Sequence, residues 1–183
     1  MSIESIEALR AQLPAYAHAM ARNLEVLAEE TVLDETAKWS CFVASACAVG
    51  EPRTLKAVTA AALRAGLTPE AFEEAKTAAS TMAMTNVYFR AVHLMTAPEY
   101  ERLPSRLRFN RDHSTAYEFC CMAVSAINGC GACLDSHEAE LRRRGAQPVQ
   151  IQAALRIGAV VNAVARVLTV EPVDHPPYSG VLT

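Results

Sequence analysis

Residues 117–137 read Y-E-F-C-C-M-A-V-S-A-I-N-G-C-G-A-C-L-D-S-H, and this stretch decides how the rest of the chain is read. From Ala116 to Ile127 it is rich in helix formers and almost free of charge apart from Glu118. Asn128 and Gly129 then form a stop signal, because both tolerate the left-handed conformation needed just past a helix end. A second helix is expected to begin at or near Cys130 and to run to Arg144. On it Cys133 and His137 stand at i and i+4, with Cys130 three residues before Cys133, so all three side chains fall on one face. The pattern is a dithiol at a helix N-terminus with a base on the next turn.

Outward from this centre the pattern stays helical. An N-terminal helix capped by Ser2 is expected through about Leu13, where Pro14 interrupts it. A second runs over about 15–30, with Tyr16, Met20, Leu24 and Leu27 on one face. Asp34 is placed to cap a strongly apolar helix over 35–49 that ends at Gly50. Another runs over 52–65 and is closed by Gly66. Thr68-Pro69 opens a long helix to about Met95, with a capping residue followed by proline in the first turn. A last helix covers about 148–171. No period-2 strand of convincing length interrupts this series, so the fold class is all-α. Residues 1–171 form a single domain, with a Pro- and Arg-bearing linker at about 96–113 and an extended tail over 172–183.

Within that domain the sequence repeats itself, at about 35–95 and 114–171. Ser45-Ala46 answers Ser125-Ala126, and Gly66-Leu67-Thr68-Pro69 answers Gly145-Ala146-Gln147-Pro148. Met84-Thr85-Asn86-Val87 with Arg90 answers Val160-Val161-Asn162-Ala163 with Arg166, after a small gap. The chemistry-bearing residues belong to the second copy alone. Lys38 stands opposite Glu118, Gly50 opposite Cys130, Arg53 opposite Cys133 and Ala57 opposite His137. A scaffold requirement should appear in both copies, so this restriction favours chemistry over packing.

Composition sets the limits of function. The chain has 183 residues, is 51% hydrophobic and contains seven glycines, which fits a helical globular protein. A net charge of −3 gives no electrostatic reason to expect nucleic acid or an anionic membrane as partner. The apolar C-terminal stretch is interrupted by Arg156, Asn162 and Arg166 and reads as too short to span a bilayer. The N-terminus lacks the basic start and apolar run of a signal peptide, which points to a reducing, cytoplasmic setting. There the six cysteines do not form a disulfide framework, and a C-x-x-C is catalytic or metal-binding.

A thiol acts as a nucleophile only as the thiolate. A helix N-terminus favours that negative charge, and a base one turn away can take the proton. Once a peroxide oxygen has been captured as a sulfenic acid, a nearby second thiol can condense with it. The two cysteines are not equivalent. The helix dipole favours Cys130, nearest the helix start and the more exposed of the two by this reading. The base favours Cys133, which shares the face of His137. Spacing alone leaves the choice open. Glu118, a carboxylate in an apolar helix, needs a partner, and a His137–Glu118 pair is the economical one.

The segment E-F-C-C-M-A-V-S-A-I-N-G-C-G-A-C-L-D-S-H-E, and within it the string A-V-S-A-I-N-G-C-x-x-C-x-x-x-H, closely resembles the active-site region of the AhpD / carboxymuconolactone decarboxylase-like family. The M-S-I-E start, the M-T-N-V-Y-F-R stretch and the overall length extend the resemblance over nearly the whole chain. It implies an all-helical AhpD-like fold, a homotrimer, and a thiol-dependent alkyl hydroperoxide reductase acting on organic hydroperoxides. It also implies reduction of the AhpC peroxiredoxin disulfide. No bound cofactor is implied; electrons would come from dihydrolipoamide on a lipoyl-bearing dehydrogenase component. Carried onto this chain, the resemblance makes Cys133 the peroxidatic thiol that becomes the sulfenic acid. Cys130 is then the resolving thiol and proton donor, with a Cys130–Cys133 redox disulfide, and Glu118 and His137 form a proton relay. Two departures stand out. Some members carry His just before the second cysteine, where this chain has Ala132. The segment ahead of the Glu118 helix is shortened and altered over 108–114.

Other residues have plainer readings. Cys41, Cys47, Cys120 and Cys121 lie in apolar helices as small buried hydrophobes. Met82, Met84 and Tyr88 read as core, and His18, His93, His113 and His175 as structural or solvent-exposed. Arg142-Arg143-Arg144 reads as a solvated last turn favouring its helix C-terminus. Two rival functions remain: a zinc site built from Cys130, Cys133, His137 and Glu118, and a lactone decarboxylase-like enzyme of the same fold, which needs acid–base groups but no dithiol.

Overall fold

The computed structural model describes residues 3–110 and 113–171. The Ser2 cap and the tail at 172–183 lie outside them. The helices are α1 (Ile3–Arg10), α2 (His18–Glu29), α3 (Glu35–Val49), α4 (Pro52–Arg64), α5 (Pro69–Leu94), α6 (Glu99–Arg102), α7 (Thr115–Asn128), α8 (Gly131–Arg143) and α9 (Pro148–Val170). No strand occurs among the described residues, so the all-α reading holds. The short α6 inside the linker and a 3-10 turn at Ala15–Ala17 were not anticipated. That turn turns Tyr16 outward, where its hydroxyl donates to Glu171 at 2.8 Å.

The helix boundaries follow from local chemistry. Asp34 accepts from the Ala37 N–H at 2.8 Å, and Thr68 and Ser114 cap α5 and α7 in the same way. Each such cap is worth roughly 1 kcal/mol. Gly50 and Gly129, at φ 76° and 68°, close α3 and α7 in the left-handed region, which a side chain would strain.

The core is built on α3 and α7, which pack on each other and are both flanked by α5 and α9. Ala37 through Ala46 of α3 are buried without a break, as are Tyr117 through Ser125 of α7. A helix buried all round is a central helix, which is why neither shows a strong apolar stripe. Around the pair the contacts are related by exchange of the halves: α3 packs on α9 as α7 packs on α5, and α4 meets α9 as α8 meets α5. The molecule is thus two similar helical halves, with α1 and α2 added against α4 and α9.

The caps shift the repeat by one residue from the sequence alignment, because α3 has 15 residues and α7 has 14. Lys38 stays opposite Glu118. Gly50 corresponds instead to Gly129, and Glu51, the N-cap of α4, to Cys130, the N-cap of α8. Thr54 then takes the place of Cys133 and Val58 that of His137. Where the second half has its cysteine pair, the first has the Glu51 carboxylate accepting from the N–H and hydroxyl of Thr54, both at 2.7 Å. The asparagines do not correspond, since Asn86 lies 17 residues beyond Pro69 and Asn162 only 14 beyond Pro148.

Three smaller expectations are corrected. Met84 is 41% exposed while Met82 is buried, because they sit on opposite sides of α5. Cys41, Cys120 and Cys121 are buried, but Cys47 only partly. By length and composition α9 is able to cross a membrane, since its interruptions include only two charges, Arg156 and Arg166. Its inner residues, Ile157, Val161, Val164 and Leu168 among them, are instead part of the core.

Candidate active site

The α7–α8 turn places the cysteines. Past Gly129 the chain folds back so that the Cys130 N–H donates to the Ser125 carbonyl at 3.1 Å, and α8 starts at once. A polar cluster holds this turn from α5. The Asn86 amide donates to the Ser125 hydroxyl and its oxygen accepts from Asn128, each at 3.0 Å. Arg90 donates to the Asn128 carbonyl. Asn86 and Ser125 are fully buried and satisfy each other, with the Met82 sulfur as a second acceptor for both.

Cys130 and Cys133 are joined in a disulfide with their Cα atoms 5.3 Å apart. They occupy the N-cap and first turn of α8, which contains no acidic side chain. The exposure expected for Cys130 is corrected: it is 0% accessible and Cys133 7%. Of the two, Cys133 lines a cavity and Cys130 does not.

Cys133, Glu118 and His137 line one cavity of about 720 Å³ between α5, α7, α8 and the linker. Apolar side chains of Met82, Phe89, Phe109 and Ala132 form part of its wall. The His137 Nδ1–H donates to the Glu118 carboxylate at 2.8 Å, as the sequence suggested, so Nε2 is the ring nitrogen not used in this bond. The four residues singled out from sequence are therefore together, with three at the cavity and Cys130 behind Cys133.

Of the four residues of the zinc reading, the two sulfurs are bonded to each other in this disulfide form and Glu118 is engaged by His137.

Two further residues line the cavity. His113, read from sequence as structural or solvent-exposed, is structural: it stacks on the Tyr117 ring at 3.7 Å and approaches Glu74 at 3.5 Å. Arg144 is not a solvated end-of-helix cation. It bonds Glu140 at 2.6 Å and the His113 carbonyl at 2.7 Å, and stands 4.0 Å from the free oxygen of Glu118. A signal existed: Cys133, His137, Glu140 and Arg144, spaced by four, three and four, share a helix face. Nothing in the sequence marked His113, whose partners come from α5 and α7.

The charges around the cavity are arranged in pairs. Hydrogen bonds from Arg143 and Arg144 hold the Glu140 carboxyl down at about 2. Burial pushes the Tyr117 phenol up, and burial with the nearby Glu118 charge pushes up the Cys121 thiol, so neither ionises readily.

Comparison with known proteins adds the following. A family model described as the carboxymuconolactone decarboxylase family matches residues 115–173, the stretch that carries α7, α8 and α9. Among curated proteins, the alkyl hydroperoxide reductase AhpD of Caulobacter vibrioides (strain NA1000 / CB15N) is 64% identical over 177 residues, covering 94% of this chain and 97% of the relative. The protein of the same name from Hyphomonas neptunium is 51% identical over 172 residues, covering 91% and 95%. That from Streptomyces avermitilis is 40% identical over 174 residues, covering 92% and 98%.

Proposed function

The chain belongs to the AhpD family, and on that premise we propose that it is a peroxidase-type oxidoreductase that reduces organic hydroperoxides through Cys133 and Cys130. The observation that carries the reading is the cavity itself: it reaches Cys133, contains the His137–Glu118 pair beside it, and has Cys130 bonded to Cys133 from behind.

In the reduced protein His137 takes the proton of Cys133, and the start of α8 favours the resulting thiolate. The thiolate attacks the terminal peroxide oxygen. An S–O bond forms and the O–O bond breaks, with the electron pair leaving on the alkoxide. The alkoxide takes a proton through the His137–Glu118 pair or from Cys130. Cys130 then displaces water from the Cys133 sulfenic acid, which leaves the disulfide seen here. Because Cys130 is already at bonding distance, condensation competes well with further oxidation. A dihydrolipoyl group would restore the dithiol by exchange and itself become the cyclic disulfide. On the same reading the reduced pair passes electrons to the disulfide of an AhpC peroxiredoxin, and the chain works as a homotrimer. The lactone decarboxylase reading has no use for the cysteine pair.

The test is consumption of cumene hydroperoxide with dihydrolipoamide as reductant. Turnover by the wild type that is lost in Cys133→Ser and in Cys130→Ser supports the proposal. A Cys133→Ser protein that keeps its turnover overturns it.

A further inference from the structure

Arg142, Arg143 and Arg144 end α8 side by side but do different things. Arg142 donates to the Ala146 carbonyl just beyond its own helix, as an end-of-helix cation should. Arg143 bonds Glu140 and is 70% exposed. Arg144 turns inward to 20% exposure and joins three elements: Glu140 on α8, the His113 carbonyl on the linker and, at 4.0 Å, Glu118 on α7. We propose that Arg144 is a positioning residue for the thiol chemistry, holding the Glu118 carboxylate in the orientation that keeps its other oxygen on His137.

The geometry carries this in two steps. Glu118 has two oxygens facing different groups: Oε2 accepts from His137 and Oε1 faces the Arg144 guanidinium. A carboxylate with one anchor can rotate about its terminal bond; one with a hydrogen-bond donor at one oxygen and a held cation facing the other has a preferred plane. The guanidinium is in turn fixed by Glu140 at 2.6 Å and by the His113 carbonyl at 2.7 Å, so it cannot follow a rotating carboxylate. Among the described residues, the other charged or titratable groups around Glu118 and its cavity are Tyr117 and Cys121 on α7, His113 on the linker, backed by Glu74 of α5, and Arg143 and Glu140 on α8. Of these Arg143 is the one further cation, and it is paired with Glu140 and 70% exposed. The small Ala132 on the cavity wall brings no polar group that could replace Arg144. The inference rests on the reading of Glu118 and His137 as the relay that serves Cys133.

The experiment is a double-mutant cycle on the fully reduced protein, read as the rate of Cys133 alkylation by iodoacetamide and mapped by mass spectrometry. Arg144→Met is expected to slow alkylation about tenfold, as misorientation of a general base does. Arg144→Lys, which retains the cation, recovers most of the rate. In a Glu118→Gln background Arg144→Met changes the rate by less than about twofold, because the group it acts through is already neutral. Equal slowing in both backgrounds, or undiminished alkylation in a folded Arg144→Met protein, overturns the proposal. If Arg144→Met does not fold, Glu140→Gln releases the guanidinium from its anchor and the same cycle is run with it. Hydroperoxide turnover is followed in parallel. A cycle that behaves as expected in a protein without turnover sinks the peroxidase reading alone; turnover with an additive cycle sinks only the role of Arg144.

Discussion

Glu118 and His137, 19 residues apart in the chain, meet at 2.8 Å across the α7–α8 corner. Each side chain is more than four-fifths buried, at 11% and 17% exposure, so neither can rely on water to satisfy it. A buried carboxylate without a partner is costly, and an imidazole bonded through Nδ1 presents Nε2 in a defined direction. One contact thus answers a folding requirement and, on the proposed reading, orients a base.

Glu118→Gln keeps an oxygen that can accept from His137, whereas Glu118→Ala removes both the acceptor and the charge. Hydroperoxide turnover should therefore fall about tenfold in the first and roughly a hundredfold in the second, within the range general-base catalysis supplies. Equal loss in both variants would mean that charge alone matters.

The three buried thiols Cys41, Cys120 and Cys121 should be silent in the folded state. Burial pushes Cys120 and Cys121 well up, and Cys41 is closed off in the same core. Iodoacetamide added to the reduced native protein is expected to label Cys133 first. It should leave Cys41, Cys120 and Cys121 unlabelled until denaturant is added, as peptide mapping would show.

Gly158 lets α9 approach α7. A Cβ there would meet the Ala123 carbonyl oxygen at 2.9 Å, a backbone atom that cannot swing aside. Gly158→Ala gains up to about 1 kcal/mol of helix propensity but loses about 1–3 kcal/mol to overpacking. The expected net result is destabilisation, read as a lower urea midpoint with an unchanged slope.

Asn86→Ala removes a partner of the fully buried Ser125 and of the half-buried Asn128. The loss should be about 1–3 kcal/mol, because the Ser125 oxygen loses its donor and the Asn128 amide its acceptor, leaving the Ser125 hydroxyl only the weak Met82 sulfur. Since these bonds hold the turn that carries Cys130, turnover should fall as well, even at temperatures where circular dichroism shows the variant folded.

Glu140 gives a pH dependence of known sign. Its carboxyl is lowered from the ordinary 4.5 to about 2, so the folded state favours the ionised form. The stabilisation is present in full above about 4.5 and is lost as pH falls toward about 2. Melting curves of wild type and Glu140→Gln should differ at neutral pH and converge as the solution is acidified through that window.

By itself the sequence determined what depends on neighbours within a turn or two. The Asp34, Thr68 and Gly129 boundaries, the i, i+4 register of Cys133 with His137, and the repeat of two helical halves were all legible, because caps and helical spacing are local. So was the need of Glu118 for a partner, since its helix is otherwise apolar. Tertiary structure alone decided which cysteine faces the cavity, because α5, α7, α8 and the linker enclose that cavity together. It also decided that Arg144, 31 residues from His113, closes on the linker carbonyl, and that Asn86, 39 residues from Ser125, steadies the turn. Such contacts join elements whose approach is set by the packing of whole helices around α3 and α7, and no local spacing encodes them.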